Sequence, residues 1–236
     1  MTRSGGSRKT MFTKINTLFQ YFVGFFSISV TIVLMYLIPS KHRTFRHKWA
    51  RFQVRMLGAD IVPSGSVDPE AKLFIVNHRS MLDIIALEAI MPGDPCWVAK
   101  QEISDIPWFG RINDVPKMIS IDREDKTGLV KLLKESKERI DEGRVIMIFP
   151  EGTRSKGDKL LKFKAGAKMV AEKHALKVQP VVVYGTEKVL DTQTHTINPG
   201  KVYITFLESF TPERGSDWLD NTRETMQIEY TRLSTL

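Results

Sequence analysis

The run Leu18–Ile38, LFQYFVGFFSISVTIVLMYLI, narrows what this chain can fold into more than any other stretch. It has 21 residues, no charge, and only Gln20 as a strongly polar side chain. As a helix rising about 1.5 Å per residue, it would span the ~30 Å hydrocarbon core of a bilayer. Its length, its aromatic content and the lack of a small-residue cleavage pattern before Pro39 set it apart from a signal peptide. A buried core helix is the competing reading, and a long uncharged stretch rich in aromatics suits it less well.

The segment after the run strengthens the membrane reading. In HRTFRHKWARFQVRMLGA, Phe45, Trp49, Phe52 and Met56 recur at intervals of 4, 3 and 4, while Arg43, Arg46, Lys48, Arg51 and Arg55 cover much of the rest. That is the pattern of an interfacial amphipathic helix. Residues 1–59 hold ten of the 35 basic residues and none of the 27 acidic ones, so the excess positive charge sits in the first quarter. Such a segment suits anionic membrane lipid. Nucleic acid would use the same basic residues but leaves the apolar run unexplained, so no nucleic-acid partner is expected. Six basic residues follow the run and four precede it, which favours the C-terminal side as cytoplasmic. Two geometries stay open: one span, or two helices embedded in a single leaflet. Residues 1–10 are polar and rich in glycine and serine, and a flexible tail is expected over 1–14.

Beyond residue 60 the pattern changes to short apolar strands interleaved with helices. Strands are expected at Leu73–Val76, Cys96–Ala99, Met118–Ile121, Val145–Phe149, Val178–Tyr184 and Val202–Phe206, the last half-exposed. Helices are expected at Leu82–Met91, 126–142, Phe163–His174 and Trp218–Leu233. Pro180 must sit at the start of its strand or at an unpaired position. Alternating strands and helices imply an α/β fold with a mixed, largely parallel sheet flanked by helices, preceded by an N-terminal two-helix membrane-embedded element. In such sheets ligands bind beyond the carboxyl ends of the strands. There this chain places Asn77 and His78, then Lys100, then Asp122 and Arg123, then Pro150-Glu151-Gly152-Thr153-Arg154-Ser155.

The segment NHRSMLD, Asn77–Asp83, admits two readings. Ser80 and Asp83 could form a capping box at a helix start, leaving His78 as a loop residue. Alternatively, Asp83 accepts from one ring nitrogen of His78 and fixes its tautomer, leaving the other nitrogen to take a proton from an alcohol. This is a Ser-His-Asp arrangement with the substrate hydroxyl in place of the serine. In the second corner, Gly152 permits a tight turn and Arg154 offers a planar fork for phosphate. Glu151 could hold that fork or accept from a substrate hydroxyl, and a loop salt bridge is the plain alternative. A serine nucleophile has no G-x-S-x-G stretch to sit in. Cys96, the only cysteine, lies within an apolar strand and excludes a disulfide framework. No H-E-x-x-H spacing suggests a metal, and neither metal nor cofactor is expected.

These motifs resemble the glycerolipid acyltransferase family, and within it the bacterial-type 1-acyl-glycerol-3-phosphate acyltransferases. The family's N-H-x-x-x-x-D is Asn77–Asp83. Its second motif appears as Lys100, then Pro107-Trp108-Phe109-Gly110, then Ile121-Asp122-Arg123. Its F-P-E-G-T-R-S is Phe149–Ser155 without change, and its apolar stretch around a proline is Val178–Val183. Order and spacing match over about residues 60–205; Gln101-Glu102-Ile103 departs mildly from the usual residues after the lysine. The resemblance implies transfer of a fatty acyl group from an acyl carrier protein or coenzyme A thioester to the sn-2 hydroxyl of lysophosphatidic acid. His78 and Asp83 would be catalytic. Lys100, Arg123, Glu151, Gly152, Thr153 and Arg154 would bind substrate, with Arg154 foremost for phosphate. Residues 15–57 would anchor the protein to the cytoplasmic face of the inner membrane, and 60–236 would form the acyltransferase domain. A sibling using glycerol-3-phosphate, another lysophospholipid or a lyso-aminolipid would carry the same dyad. A scaffold or lipid-transfer module is the alternative outside enzymes. Acyl preference and oligomeric state are left open.

Overall fold

The computed structural model describes the backbone of residues 5–122, 126–191 and 194–236, with side chains from residue 17 onward except at 126. The chain opens with helix α1 (Gly5–Leu37), a 3-10 turn at Pro39–Lys41, and helix α2 (His42–Met56). α1 starts within the segment expected as a tail. Extending an existing helix is far easier than nucleating one, and no proline interrupts it. Its segment Thr17–Leu37 is, among the described residues, the one stretch long and apolar enough to cross a membrane. One face, Ile28, Ile32 and Met35, is buried against Phe45 and Trp49 of α2 and against Phe109, Ile112 and Val115. The other face leaves Leu18, Phe19, Phe22, Phe25, Phe26, Val30 and Val33 exposed.

α2 departs from the interfacial pattern expected of it. Phe45 and Trp49 pack against α1 instead of facing outward, and Arg46 is only 3% exposed. Arg43 and Arg46 turn inward to the carboxyl end of α3 (Leu82–Ile90). Arg46 pairs with Glu88 at 2.9 Å and Asp94 at 3.1 Å, and Arg43 reaches Glu88 at 2.8 Å and the Met91 carbonyl at 2.7 Å. Free carbonyls and partial negative charge at a helix C-terminus draw cations there. Lys48, Arg51 and Arg55 remain exposed.

The rest of the chain forms a mixed sheet. Strands β1 (Ala59–Ser64), β2 (Leu73–Val76), β3 (Pro95–Lys100), β4 (Ile119–Ile121), β5 (Val145–Ile148) and β6 (Val178–Tyr184) join β9 (Gly200–Phe206). A separate hairpin pairs β7 (Leu190–Asp191) with β8 (Thr196–Ile197). The order in the large sheet is β1-β9-β6-β2-β5-β3-β4. All its pairings are parallel except β6 with β9. Expected as half-exposed, β9 instead lies between β1 and β6 with Ile204, Thr205 and Phe206 buried. Pro180 is neither at the strand start nor unpaired: it is third in β6 and opposite Ile75 of β2, and it is tolerated because the β6–β9 ladder begins only at Val181.

Side chains alternate across the sheet into two cores. Phe74, Val76, Trp97 and Met147 face α2 and α3. Leu73, Ile75, Cys96, Val98, Ile146 and Ile148 face the other layer. That layer contains α5 (Lys126–Asp141), α6 (Gly166–His174) and α8 (Trp218–Leu233). Short helices α4 (Gln101–Ser104) and α7 (Thr186–Val189) follow β3 and β6. α6 begins three residues later than expected, because the chain before it is pinned: the Leu161 amide donates to Glu151 and the Lys164 amide to the Pro150 carbonyl. β5 enters between β2 and β3, so the ends of β2 and β5 are neighbours although 72 residues separate Val76 from Ile148.

Candidate active site

The corner after β2 is built by side chains that replace missing backbone partners. Asn77, fully buried, donates through Nδ2 to the Val183 carbonyl and accepts on Oδ1 from the Val183 amide, both at 2.8 Å. One amide side chain thus continues the ladder between β2 and β6 for a further residue. His78 is then gripped by its backbone from the β5 side. Its amide donates to Glu151 Oε1 at 2.8 Å, and its carbonyl accepts from the Ser155 amide at 2.9 Å and hydroxyl at 3.1 Å.

In NHRSMLD the Asp83 carboxylate serves both the entry to α3 and the His78 ring. The Ser80 amide donates to Asp83 Oδ2 at 2.8 Å, which is one half of a capping box; the other half is absent, because Ser80 Oγ accepts from the Leu82 amide at 3.2 Å, the Asp83 amide turns to the Ser80 carbonyl, and Met81 precedes α3. The same Asp83 oxygen accepts from His78 Nδ1 at 2.8 Å and from the Arg79 amide at 2.6 Å. Asp83 Oδ1 accepts from Thr186 Oγ1 at 2.5 Å. Asp83 is fully buried, and such a carboxylate is tolerated because donors surround it. With Nδ1–H committed to Asp83, His78 keeps Nε2 as its acceptor, and its side chain is 17% exposed. The ring also lies against Phe149, centroids 4.0 Å apart, and Phe149 stacks in turn on Trp97 at 5.4 Å.

The other expected site residues fall into two groups. Glu151 is 2% exposed and gives both oxygens to backbone amides, those of His78 and Leu161, each at 2.8 Å. It stands behind the histidine, not on the open rim, because two orphaned amides need an acceptor there. Burial pushes its carboxyl above the usual range, against the pull of the two amides. Arg79, which could have faced either way, is turned inward, donating to Ser155 Oγ at 3.1 Å and lying over the Tyr230 ring at 5.2 Å. Gly152 is buried at φ +74°, and a Cβ there would come within 2.9 Å of the Lys164 side chain. Thr153 and Arg154 are exposed. Lys100 is exposed at the end of β3, with Glu102 at 3.7 Å. Arg123 lies outside the described residues.

Pro107–Gly110, part of the second motif, builds a contact with α1 and not the dyad. Trp108 Nε1 donates to Ser29 Oγ at 2.9 Å, and Phe109 packs against the buried face of α1. Cys96 is fully buried in the sheet, and burial raises its thiol. Among the described residues, no group of three or more His, Cys, Asp or Glu side chains is arranged to hold a metal ion. Sequence reasoning gave no task to Asn77, Phe149, Trp97 or Thr186. The spacing of Thr186, 103 residues from Asp83, offers no signal.

The Acyltransferase family model matches residues 53–184, from within α2 to the end of β6. The 1-acyl-sn-glycerol-3-phosphate acyltransferase of Helicobacter pylori is 45% identical over 177 residues, 74% of this chain and 75% of that one. A protein of the same name from Cocos nucifera is 28% identical over 207 residues, 82% of this chain and 66% of that one. Among solved structures, the crystal structure of the 1-acyl-sn-glycerophosphate (LPA) acyltransferase PlsC from Thermotoga maritima is similar, with a TM-score of 0.78. The match covers 96% of this chain and 98% of that one, and at 24% identity it speaks for the fold.

Proposed function

The chain belongs to the Acyltransferase family, and from that premise we propose the reaction that its histidine corner performs. It transfers a fatty acyl group from an acyl thioester to the sn-2 hydroxyl of 1-acyl-glycerol-3-phosphate, giving phosphatidic acid. The observation that carries this is the His78–Asp83 pair, Nδ1 to Oδ2 at 2.8 Å, with the carboxylate fully buried and the imidazole partly open.

The mechanism follows from which nitrogen is engaged. Asp83 holds Nδ1–H, so the Nε2 lone pair is free to take the proton of the substrate hydroxyl as its oxygen attacks the thioester carbonyl. The imidazolium that forms is stabilised by Asp83. The tetrahedral oxyanion collapses, the C–S bond breaks, and His78 returns the proton to the departing thiol. The acyl group passes directly to the hydroxyl, and no acyl-enzyme forms.

For the acceptor phosphate, we assign Arg154 with Thr153 on the turn after β5, Lys100 at the end of β3, and Arg123. The exposure of Arg154, Thr153 and Lys100 supports this, and Ser155, the neighbour of Arg154, bonds the His78 carbonyl. Gly152 lets the turn close, and Glu151 holds the His78 backbone in place of touching glycerol. The donor is an acyl carrier protein or coenzyme A thioester. α1 holds the protein to a membrane by its exposed apolar face, and Trp108, bonded to Ser29 of α1, is exposed as are Ile103 and Ile106 in the same segment after Lys100. Apolar surface on that segment would bring lipid substrates to the rim without leaving the interface. α2 joins the anchor through exposed Lys48, Arg51 and Arg55, with the catalytic domain on the cytoplasmic face of the inner membrane.

The test is thiol release from acyl-CoA and from acyl carrier protein in lipid, with and without lysophosphatidic acid, for wild type and His78→Ala. Release that depends on acceptor and is lost in a folded His78→Ala protein is expected. Undiminished transfer by His78→Ala would remove the histidine from the mechanism. A panel including glycerol-3-phosphate and other lysophospholipids identifies the acceptor.

A further inference from the structure

Four donors meet the Asp83 carboxylate among the described residues, and they are unequally shared. His78 Nδ1, Arg79 N and Ser80 N all converge on Oδ2. Oδ1 has one, the Thr186 hydroxyl, which arrives from another part of the fold. Asp83 and Thr186 are both 0% exposed, so solvent does not reach this contact.

We propose that Thr186 is a positioning residue for acyl transfer: its hydroxyl fixes the rotation of the Asp83 carboxylate, and thereby the aim and proton affinity of His78. The proposal rests on His78 and Asp83 acting as the dyad described above.

The fold delivers this hydroxyl by construction. Thr186 is the first residue of α7 and follows Gly185, whose φ is +90°. A Cβ at Gly185 would lie 2.6 Å from the Lys201 carbonyl oxygen, so the turn that aims Thr186 is open only to glycine. The segment is also tied to the dyad corner on both sides. Before it, Asn77 pairs with Val183; after it, Ser80 Oγ donates to the Leu190 carbonyl at 2.7 Å. The ends of β2 and β6 therefore cannot drift apart without breaking these bonds, and the hydroxyl is held where Oδ1 needs it.

The chemistry needs a neutral donor at that point. A buried oxygen without a donor destabilises the anion, and the pair then holds its proton more tightly. Three charged groups stand on the elements around the pair. Glu151, at the end of β5, takes the His78 amide. Arg79 comes from the dyad loop itself, and Glu187 on α7 stands 4.0 Å from it. A charged residue in place of Thr186 would add to this set, whereas a hydroxyl satisfies Oδ1 without changing the net charge.

Thr186→Val keeps the side-chain shape and removes the donor; Thr186→Ser keeps the donor. Both should be purified in lipid or detergent, checked by thermal melting, and assayed for kcat, KM and the pH profile of kcat/KM. In parallel, the His78 imidazole should be titrated by NMR with labelled histidine, without substrate. Thr186→Val is expected to lower kcat roughly 10–100-fold, the range for losing a hydrogen bond to a charged group. KM for both substrates should stay near wild type. The acid limb of the profile and the NMR titration of His78 should both move to higher pH, and Thr186→Ser should restore wild-type behaviour. An unmoved His78 titration, or equal losses in the Val and Ser variants with an unchanged pH profile, would overturn the proposal. If Thr186→Val does not fold, Thr186→Ser together with Thr186→Ala carries the same comparison. The NMR titration needs no turnover, so it separates failure of this proposal from failure of the acyltransferase reading, which would appear as an inactive wild type.

Discussion

The imidazole of His78 lies flat on the ring of Phe149, with centroids 4.0 Å apart and planes 17° apart. Phe149 is the last residue before the turn that grips the His78 backbone, and it rests in turn on Trp97. Asp83 fixes one edge of the imidazole and Phe149 fixes its face. Removing the ring while keeping apolar volume, as in Phe149→Leu, should lower kcat about tenfold. That corresponds to the upper part of the range for a ring–ring contact. KM should change little, and steady-state kinetics with saturating donor separates the two.

Asp83→Asn should cost more than the loss of the dyad alone. The Asn NH2 would face one set of donors now accepted by a carboxylate oxygen: His78 Nδ1, Arg79 N and Ser80 N on one side, or the Thr186 hydroxyl on the other. We expect activity at background and a stability loss of about 1–3 kcal/mol from buried groups left unpaired. Urea unfolding alongside the thiol-release assay measures both. A fully stable Asp83→Asn protein would contradict the packing of donors seen here.

Glu151 offers a sharper distinction between contacting substrate and supporting the histidine. Glu151→Gln keeps one acceptor and loses the other, so either the His78 or the Leu161 amide goes unsatisfied. Expected are a stability loss of about 1–3 kcal/mol and a fall in kcat, with the KM for lysophosphatidic acid little changed. A selective rise in that KM with unaltered stability would return Glu151 to the substrate-contacting role that its motif first suggested.

The clamp between α2 and the α/β domain should matter for folding more than for chemistry. Glu88 is buried and receives Arg43, Arg46 and the Trp97 indole N–H, the last at 2.8 Å. Glu88→Ala leaves Arg46 buried with a weakened set of partners. Breaking a buried pair in this way typically costs about 3–5 kcal/mol. A thermal melt that shifts by no more than that of an exposed-pair control, such as Lys137→Ala, would show the cluster to be dispensable.

Acid stability should depend on Asp68. Hydrogen bonds from Lys177 and Ser209, and from the Glu70 amide, hold its carboxyl down to about 2, from an ordinary value of 3.8. A depressed folded value means the contribution is present above pH 3.8 and is lost as pH falls toward 2. Asp68→Asn should therefore flatten the loss of stability across that window while leaving its shape near neutrality unchanged. The group is solvent-screened, so the effect should shrink in high salt. Chemical unfolding at stepped pH and two salt concentrations checks both points.

Much of the fold was readable because its signals are local. Apolar runs bounded by glycine, proline and charge marked β2, β3, β5 and β6 within a residue or two. Periodicity placed α5 and α8 almost at their observed ends. Where expectation failed, a distant partner had intervened. β9 looked half-exposed until β1 and β6 covered it from both sides. α2 looked like a surface helix because its pattern cannot show that Glu88 and Asp94 wait beneath Arg43 and Arg46.

The sequence by itself determined the family and its kind of chemistry, and the corner at which the histidine and aspartate meet. A histidine five residues from an aspartate, at a strand-to-helix corner, sets a local geometry in which the two can meet. Parallel strands then bring the residues after each carboxyl end to one edge. Only the tertiary structure decided what completes that corner. β5 enters between β2 and β3, which puts Glu151 and Ser155 on the His78 backbone and Phe149 against its ring. β6 lies on the other side of β2, which brings Thr186 to the second oxygen of Asp83. These partners are separated from the dyad by 66 to 103 residues, and nothing in a linear pattern encodes distances of that kind. Strand order in the sheet does, through hydrogen-bond pairing and the packing of both faces.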